Sequence, residues 1–417
     1  MRAYLDYAAA TPMAPEAVRA LLPYLSERYY NPSAPYATAR EVHAELEDAR
    51  AALARTIGAR SANVVLTAGA TEANNLAFAA TSGRVVTDAI EHESVLACAA
   101  ARHGDASGAA SDGRPAFGNR PASVVSVARD GRVDAADVAA VLTPDTELVS
   151  VALANGEIGT LQPVREISRV VAAERRRRLE AGERRQILLH TDASQAAGHV
   201  SVNVSSLGVD LMTLSAAKVY GPKQVGLLYA SDVVRLRPLV RGGGQEGGVR
   251  SGTENVAGVV AFAAALARAE ELRPQESRRL ADLRERLLRH VLADFPWAVV
   301  SGPSKGKRRL PGLLHISFPG IEARRLVILL ERQGVSVGTG SACAASHMRV
   351  SHVLRAIGLP DGVAEGSLRL TLGRPSTAGE VDYAAGCLTA AVRAELARQA
   401  VTEAEARARA RRLMGGA

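Results

Sequence analysis

Lysine is almost missing from this chain. Of its 417 residues only Lys218, Lys223, Lys305 and Lys307 carry a side-chain amine, and nearly all of the 51 basic residues are arginine. Any chemistry that needs an amine has four candidates. Cysteine is scarcer still. Cys98, Cys343 and Cys387 share no C-x-x-C spacing, which excludes a disulfide framework and a cysteine-rich zinc site, so no metal is expected. No apolar run reaches the length of a membrane span, and Asp6 interrupts the stretch where a signal peptide would need unbroken apolar residues. A cytoplasmic protein of a reducing compartment, with no membrane partner, is the expectation. With 47% apolar and 23% charged residues the chain can fill a sizeable core and is not of disordered composition. The net charge of +8 would suit an anionic partner, but no nucleic-acid motif accompanies it. The arginines read as solvated helix faces, and direct nucleic-acid binding is not expected.

What is present is an alternation. The β-branched runs NVVLT, RVVTDA, SVVSVA, ELVSVAL, QILLHTDAS, DLMTLSAA and VGLLYA follow one another between about residues 60 and 230, separated by helical patterns. Strands alternating with helices predict an α/β fold with a mainly parallel central sheet covered on both faces. The 3.6-residue period places Val18, Leu21, Leu22 and Leu25 on one helix face, and Val42, Leu46, Ala49 and Leu53 on another before Gly58 closes the turn. Pro163 opens a further helix, with Ile167, Val170 and Val171 inward and Arg175 to Arg178 outward. An Ala/Leu/Arg-rich helix runs from Gly258 toward Arg289, and from Leu313 a smaller α/β domain is expected. The division is a large domain over 14–260 and a small one made of 1–13 and 261–417. The stretches 103–121 and 301–312 read as surface loops, and the closing AEARARARRLMGGA as a solvated basic helix.

Lys218 stands out among the amines because it follows the apolar run DLMTLSAA and precedes Tyr220, Gly221 and Pro222. Open α/β sheets gather ligands at the carboxyl ends of their strands. Asp192 closes the run QILLHTD, with Gln195 just beyond, so both can share a crevice with Lys218; a helix cap is the alternative use of such an aspartate. A carboxylate there would keep a pyridine nitrogen protonated. In LTAGATEANNLAF the chain passes from strand through Gly69, Ala70 and Thr71 into a helix whose free N–H groups suit a phosphate. The cluster RGGGQEGGVRSGTEN resembles neither a linker nor a core segment. Cys343 lies among Gly338, Gly340, Ser341 and alanines, an exposed setting for a nucleophilic thiol, whereas Cys98 and Cys387 sit in apolar helical patterns.

Taken together, YLDYAAATP, NPSA, TAGATEANNLA, EHESVL, NGEIGTLQP, HTDASQ, GPKQVGLLY, GGGQEGGVRSGTEN, GTGSACAAS, VLRAIG and LRLTLGR resemble the cysteine desulfurases. These are pyridoxal phosphate enzymes of fold type I in the class V aminotransferase group, and the matches run in family order from Tyr4 to Arg374. The resemblance implies that Lys218 links to the cofactor, Asp192 pairs with its ring nitrogen, Gln195 approaches its phenolic oxygen and His92 stacks on its ring. Ala70, Thr71 and Ser215 would hold the phosphate, with Thr253 reaching that of the partner subunit in a homodimer. Arg374 and Asn155 would hold the substrate, L-cysteine. Cys343, in a setting like that of the longer-loop subgroup, would take the sulfur as a persulfide, leave L-alanine, and pass the sulfur to an acceptor protein.

Three positions depart from the family pattern. Ala217 stands where a histidine usually precedes the lysine, Gly156 replaces the second asparagine of the HxNNExG motif, and Tyr36 replaces a histidine after NPS. Another enzyme of the same group, an aminotransferase, lyase or epimerase in which Cys343 is not the nucleophile, is the alternative. A scaffold that binds a sulfur acceptor without turnover is a third reading, and Lys218, Asp192 and Cys343 speak against it.

Overall fold

The structure, a computed structural model, describes residues 2–101, 122–304, 306–339 and 350–415. Cys343, Lys305 and the 103–121 stretch lie outside the described residues. The strands are β1 (Ala3–Leu5), β2 (Val64–Thr67), β3 (Arg84–Asp88), β4 (Ser123–Val125), β5 (Thr146–Ser150), β6 (Leu188–Asp192), β7 (Leu211–Ser215), β8 (Gly226–Ala230), β9 (Val299–Ser301), β10 (Leu313–Ser317), β11 (Val335–Val337) and β12 (Ser367–Thr371).

All seven apolar runs read from the sequence enter one sheet, in the order β2-β8-β7-β6-β5-β3-β4. Its strands β4, β3, β5, β6 and β7 are parallel, and β8 runs antiparallel to both of its neighbours. The parallel strands are buried on both faces, which is why they read as continuous rather than alternating apolar runs. Because β3, β5, β6 and β7 share a direction, the segments after Asp88, Ser150, Asp192 and Ser215 leave along one edge.

The second layer of the molecule is built around a three-stranded antiparallel sheet, β12-β10-β9, and the parallel pair β1-β11. Bridges from Asp6 to Thr371 and from Gly338 to Arg369 join the pair to β12. The 39-residue helix Val256–Asp294 serves both layers. Phe262, Leu266 and Ala269 pack into the core of the large sheet, whereas Leu280, Leu283, Leu287 and Val291 belong to the second core with Leu5, Leu326 and Leu388. The packing of this helix changes from one core to the other around Pro274.

Three local expectations change in the fold. Leu22 and Leu25 do not face inward but are 53% and 61% exposed, because the chain breaks at Leu22–Pro23 into two short helices. Arg178 is not solvated: it is buried, with its guanidinium donating to the Thr143 and Thr146 carbonyls and to Glu174. The basic helix Glu403–Gly415 docks by Ala406 and Ala410 on the second core instead of standing free. By contrast Val42, Leu46, Ala49 and Leu53 are buried as their spacing requires, and Gly58 takes φ +72°.

Candidate active site

The site gathers at the shared strand edge. A single turn of 3-10 helix, Ala216–Lys218, follows β7 and carries the lysine into a crevice where its Nζ donates to the carbonyls of Ala8 and Ala9, both at 2.7 Å. Burial, and secondarily the charge of Arg369, depress the Lys218 amine to about 8, with Asp192 and Asp6 opposing. An amine so placed is available in its neutral, nucleophilic form near physiological pH.

Asp192 ends the adjacent strand β6. Its two oxygens accept from Asn74 Nδ2 at 2.9 Å and from the Ser194 N–H at 2.9 Å. Two further carboxyls lie buried on the β3 side, Asp88 and Glu91. Burial raises both, and the charges of Asp88 and Asp192 add to the effect on Glu91. His92 follows directly and is exposed, with its Nδ1 2.8 Å from Ser94 Oγ and accepting from the Ser94 N–H at 3.1 Å.

A glycine-lined cradle forms where β2, β8 and β7 run abreast. Thr67 and Ser215 both pair with Gly226, and a Cβ on Gly226 would stand 2.7 Å from the Cα of Gly69. Gly69 itself has φ +125° and a vacant Cβ direction, and it caps the helix Ala70–Ala79. The two glycines bring the N–H groups of that helix, with Thr71 in its first turn, down to the end of β7 beside Ser215. Glu72 of the same turn takes the Ala68 N–H and pairs with Arg250, and Glu246 binds both Arg50 and the Leu66 N–H. These two carboxylates fasten the glycine cluster to the cradle. Thr253, at the far end of that cluster, is exposed.

Gln195 donates to the Ala8 carbonyl at 3.1 Å and lies over Gly156. A Cβ on Gly156 would come within 2.9 Å of the Gln195 amide, so the missing side chain gives Gln195 its place. The Gly156 carbonyl in turn accepts from Arg369 at 3.2 Å. Arg369 is buried, salt-bridged to Asp6 at 2.8 Å, and its Nε has no partner. It is the arginine that the field of Lys218 registers.

Arg374 lines a cavity with Lys218 and Tyr220, and Asn155 lies in the turn after β5. Arg374 pairs with Glu16 at 3.0 Å and stacks on the Tyr220 ring. Asn155 accepts from the Glu157 and Ile158 N–H groups and donates to the Ile90 carbonyl, which pins the turn that follows β5 to the segment ahead of His92. Ala217 offers its carbonyl to Thr11. Reasoning from the sequence missed Arg369 and Asn74, although both lie inside quoted segments, LRLTLGR and ATEANNLA. Neither residue type announces which of two neighbouring copies will face inward.

The residues present fit a pyridoxal phosphate: an amine depressed by burial, a carboxylate at the next strand end that accepts from Asn74 and Ser194, and a helix N-terminus brought to the strand edge by two glycines whose contact leaves no room for a Cβ on Gly226. A family model for class-V aminotransferases matches residues 3–384. The chain is 38% identical to the cysteine desulfurase IscS of Dictyoglomus turgidum over 91% of its own length and 92% of that protein's, and 36% identical to the Homo sapiens cysteine desulfurase over 91% and 79%. A NifS-like protein superposes with a TM-score of 0.82 at 29% identity, covering 94% of this chain and all of the other. A structure described as SspA in complex with cysteine gives 0.72 at 29%, over 89% and 98%. The chain belongs to the class-V aminotransferase family, in its cysteine desulfurase branch. That family is pyridoxal phosphate-dependent, and the fold is type I. Among the described residues no cluster of ligands suits a metal, and no helix is long and apolar enough to cross a membrane.

Proposed function

We propose that the protein removes sulfur from L-cysteine, leaving L-alanine, with pyridoxal phosphate held at Lys218 and the sulfur received by Cys343. The observation that carries this reading is the depressed amine of Lys218 facing Asp192 across adjacent strand ends. The cofactor, when bound, supplies an electron sink that its protonated ring nitrogen deepens.

The chain's own groups divide the remaining work. Asp192 would hold the proton on the ring nitrogen, Gln195 would address the phenolic oxygen, and His92 would cover the ring face. The Ala70 N–H, Thr71 and Ser215 would hold the phosphate, and the Lys218 amine would take the α-proton of the substrate. Arg369 rather than Arg374 binds the substrate carboxylate: both keep an unpartnered guanidinium nitrogen, but it is the Arg369 charge that acts on the Lys218 amine, while Arg374 is paired with Glu16 and stacked on Tyr220. The Cys343 thiolate attacks the substrate sulfur. The new S–S bond forms as the C–S bond breaks, and the carbon keeps the electron pair and is protonated to alanine. A protein acceptor then takes the sulfur. A homodimer fits the exposed apolar side chains of Leu22, Leu25, Tyr29 and Tyr36, and the exposed Thr253 would then be free to serve the partner's phosphate.

Replacing Cys343→Ser tests the reading. Sulfide and alanine formation from L-cysteine should stop while the visible absorption of the bound cofactor persists. Full turnover in that variant would overturn the persulfide step and favour another class V activity.

A further inference from the structure

Asn74 is entirely buried on the helix Ala70–Ala79, and a buried amide is costly unless its donors are matched. Its neighbour Asn75 does the ordinary thing and bonds back to the Thr71 carbonyl of its own helix. Asn74 does not. Its Nδ2 donates to Asp192 Oδ2 at 2.9 Å and to Ser94 Oγ at 2.8 Å, while its Oδ1 has no partner. The amide orientation follows from charge, since an ionised carboxylate only accepts. Ser94 Oγ, having accepted from Asn74, has its own proton free for His92 Nδ1 at 2.8 Å. Nδ1 already accepts from the Ser94 N–H, so the imidazole carries its proton on Nε2.

We propose that Asn74 and Ser94 are positioning residues that tie Asp192 and His92 into one hydrogen-bonded unit, so that the group addressing the ring nitrogen and the group covering the ring face are set together. This rests on the reading that both groups hold pyridoxal phosphate. Other titratable groups stand around the unit without entering it. Asp88 and Glu91 lie buried beside it, and His190 is held between Ser150 and Thr213 and kept neutral by burial. Glu93 turns outward to His352. Glu91 accepts the His92 backbone N–H at 3.3 Å and feels the Asp192 charge, but among the described residues no side-chain hydrogen bond of these groups joins Asp192 to the His92 ring by a second route.

The test uses the full chain labelled with ¹⁵N-histidine, with His92→Gln identifying the resonance. In the wild type, His92 Nδ1 should show the shift of a hydrogen-bonded acceptor and Nε2 that of a protonated nitrogen. Ser94→Ala should move Nδ1 toward the unbonded value, and Ser94→Thr should restore it. Asn74→Ala should move it in the same direction although Asn74 does not touch His92, and should weaken pyridoxal phosphate binding about tenfold, as expected for one lost bond to a charged group. An unchanged Nδ1 shift in Asn74→Ala would overturn the relay. If that variant fails to fold, an unchanged shift in Ser94→Ala decides the same point. A wild-type protein that takes up no pyridoxal phosphate would defeat the functional reading instead, and the cofactor-free Nδ1 shifts would still judge the relay.

Discussion

The two ends of the site are held in different ways. At the cofactor end, Asp192 and Lys218 sit at the carboxyl ends of neighbouring parallel strands, and the ladder between β6 and β7 fixes their spacing. At the substrate end, Arg369 is placed by Asp6, 363 residues away, by the Gly156 carbonyl, and by its backbone bridge to Gly338. The first end is positioned by sheet register and the second by contacts between remote segments of chain. Lys218 spans both, because the carbonyls that receive its Nζ come from Ala8 and Ala9 in the amino-terminal segment. A regular ladder tolerates change along its length, whereas an end made of single contacts depends on each of them.

The largest effect should come from the substrate end. Arg369→Ala is expected to raise the KM for L-cysteine about 100-fold, the loss of a charge-assisted carboxylate pair, while cofactor absorbance is retained. Arg374→Ala should leave KM nearly unchanged and cost about 1 kcal/mol of stability through Glu16. Steady-state kinetics on the pair would assign the carboxylate site, and a larger KM effect for Arg374→Ala would reverse the assignment.

Next in size is a disturbance of the cradle. Gly226→Ala presses a methyl against the Gly69 backbone and should cost about 2 kcal/mol in thermal or urea unfolding. It should also weaken pyridoxal phosphate more than it affects KM. Equal effects on both would show that the two ends are not separable in the way described.

The smallest effect links the ends. In the cofactor-free protein the reaction of Lys218 with an amine reagent should rise with pH around a midpoint of about 8. Arg369→Ala should shift that midpoint upward, since the arginine helps to disfavour the ammonium form. The sign for stability follows from the same depression. Between about pH 8 and the ordinary lysine value the unfolded chain binds more protons than the folded one, so this group's destabilising burial is relieved as pH rises through that window. A midpoint that ignores Arg369→Ala would separate the arginine from the lysine.

Most of the cofactor end was legible because strand ends are marked by composition. DLMTLSAA and QILLHTD announce where two buried strands stop, and the residues at their ends, Lys218 and Asp192, were named from that alone. Gly69 of the cradle was visible as a glycine between strand and helix, whereas Gly226, which passes against its backbone, was read only as part of the strand VGLLYA. The substrate end was not legible. LRLTLGR offers two arginines, and the pattern does not say that Arg369, on β12, turns toward Asp6 while Arg374 turns to Glu16 and Tyr220. The same holds for Asn74 against Asn75, and for Leu22 and Leu25, whose helical period was right but whose face stayed exposed.

Order along the chain thus determined the alternating strands, the parallel sheet and the single amine worth watching, because periodicity and residue chemistry act over a few residues. Tertiary structure decided which arginine, which asparagine and which backbone carbonyls complete the site. Those choices depend on segments hundreds of residues apart meeting in space, and local patterns hold no record of such meetings.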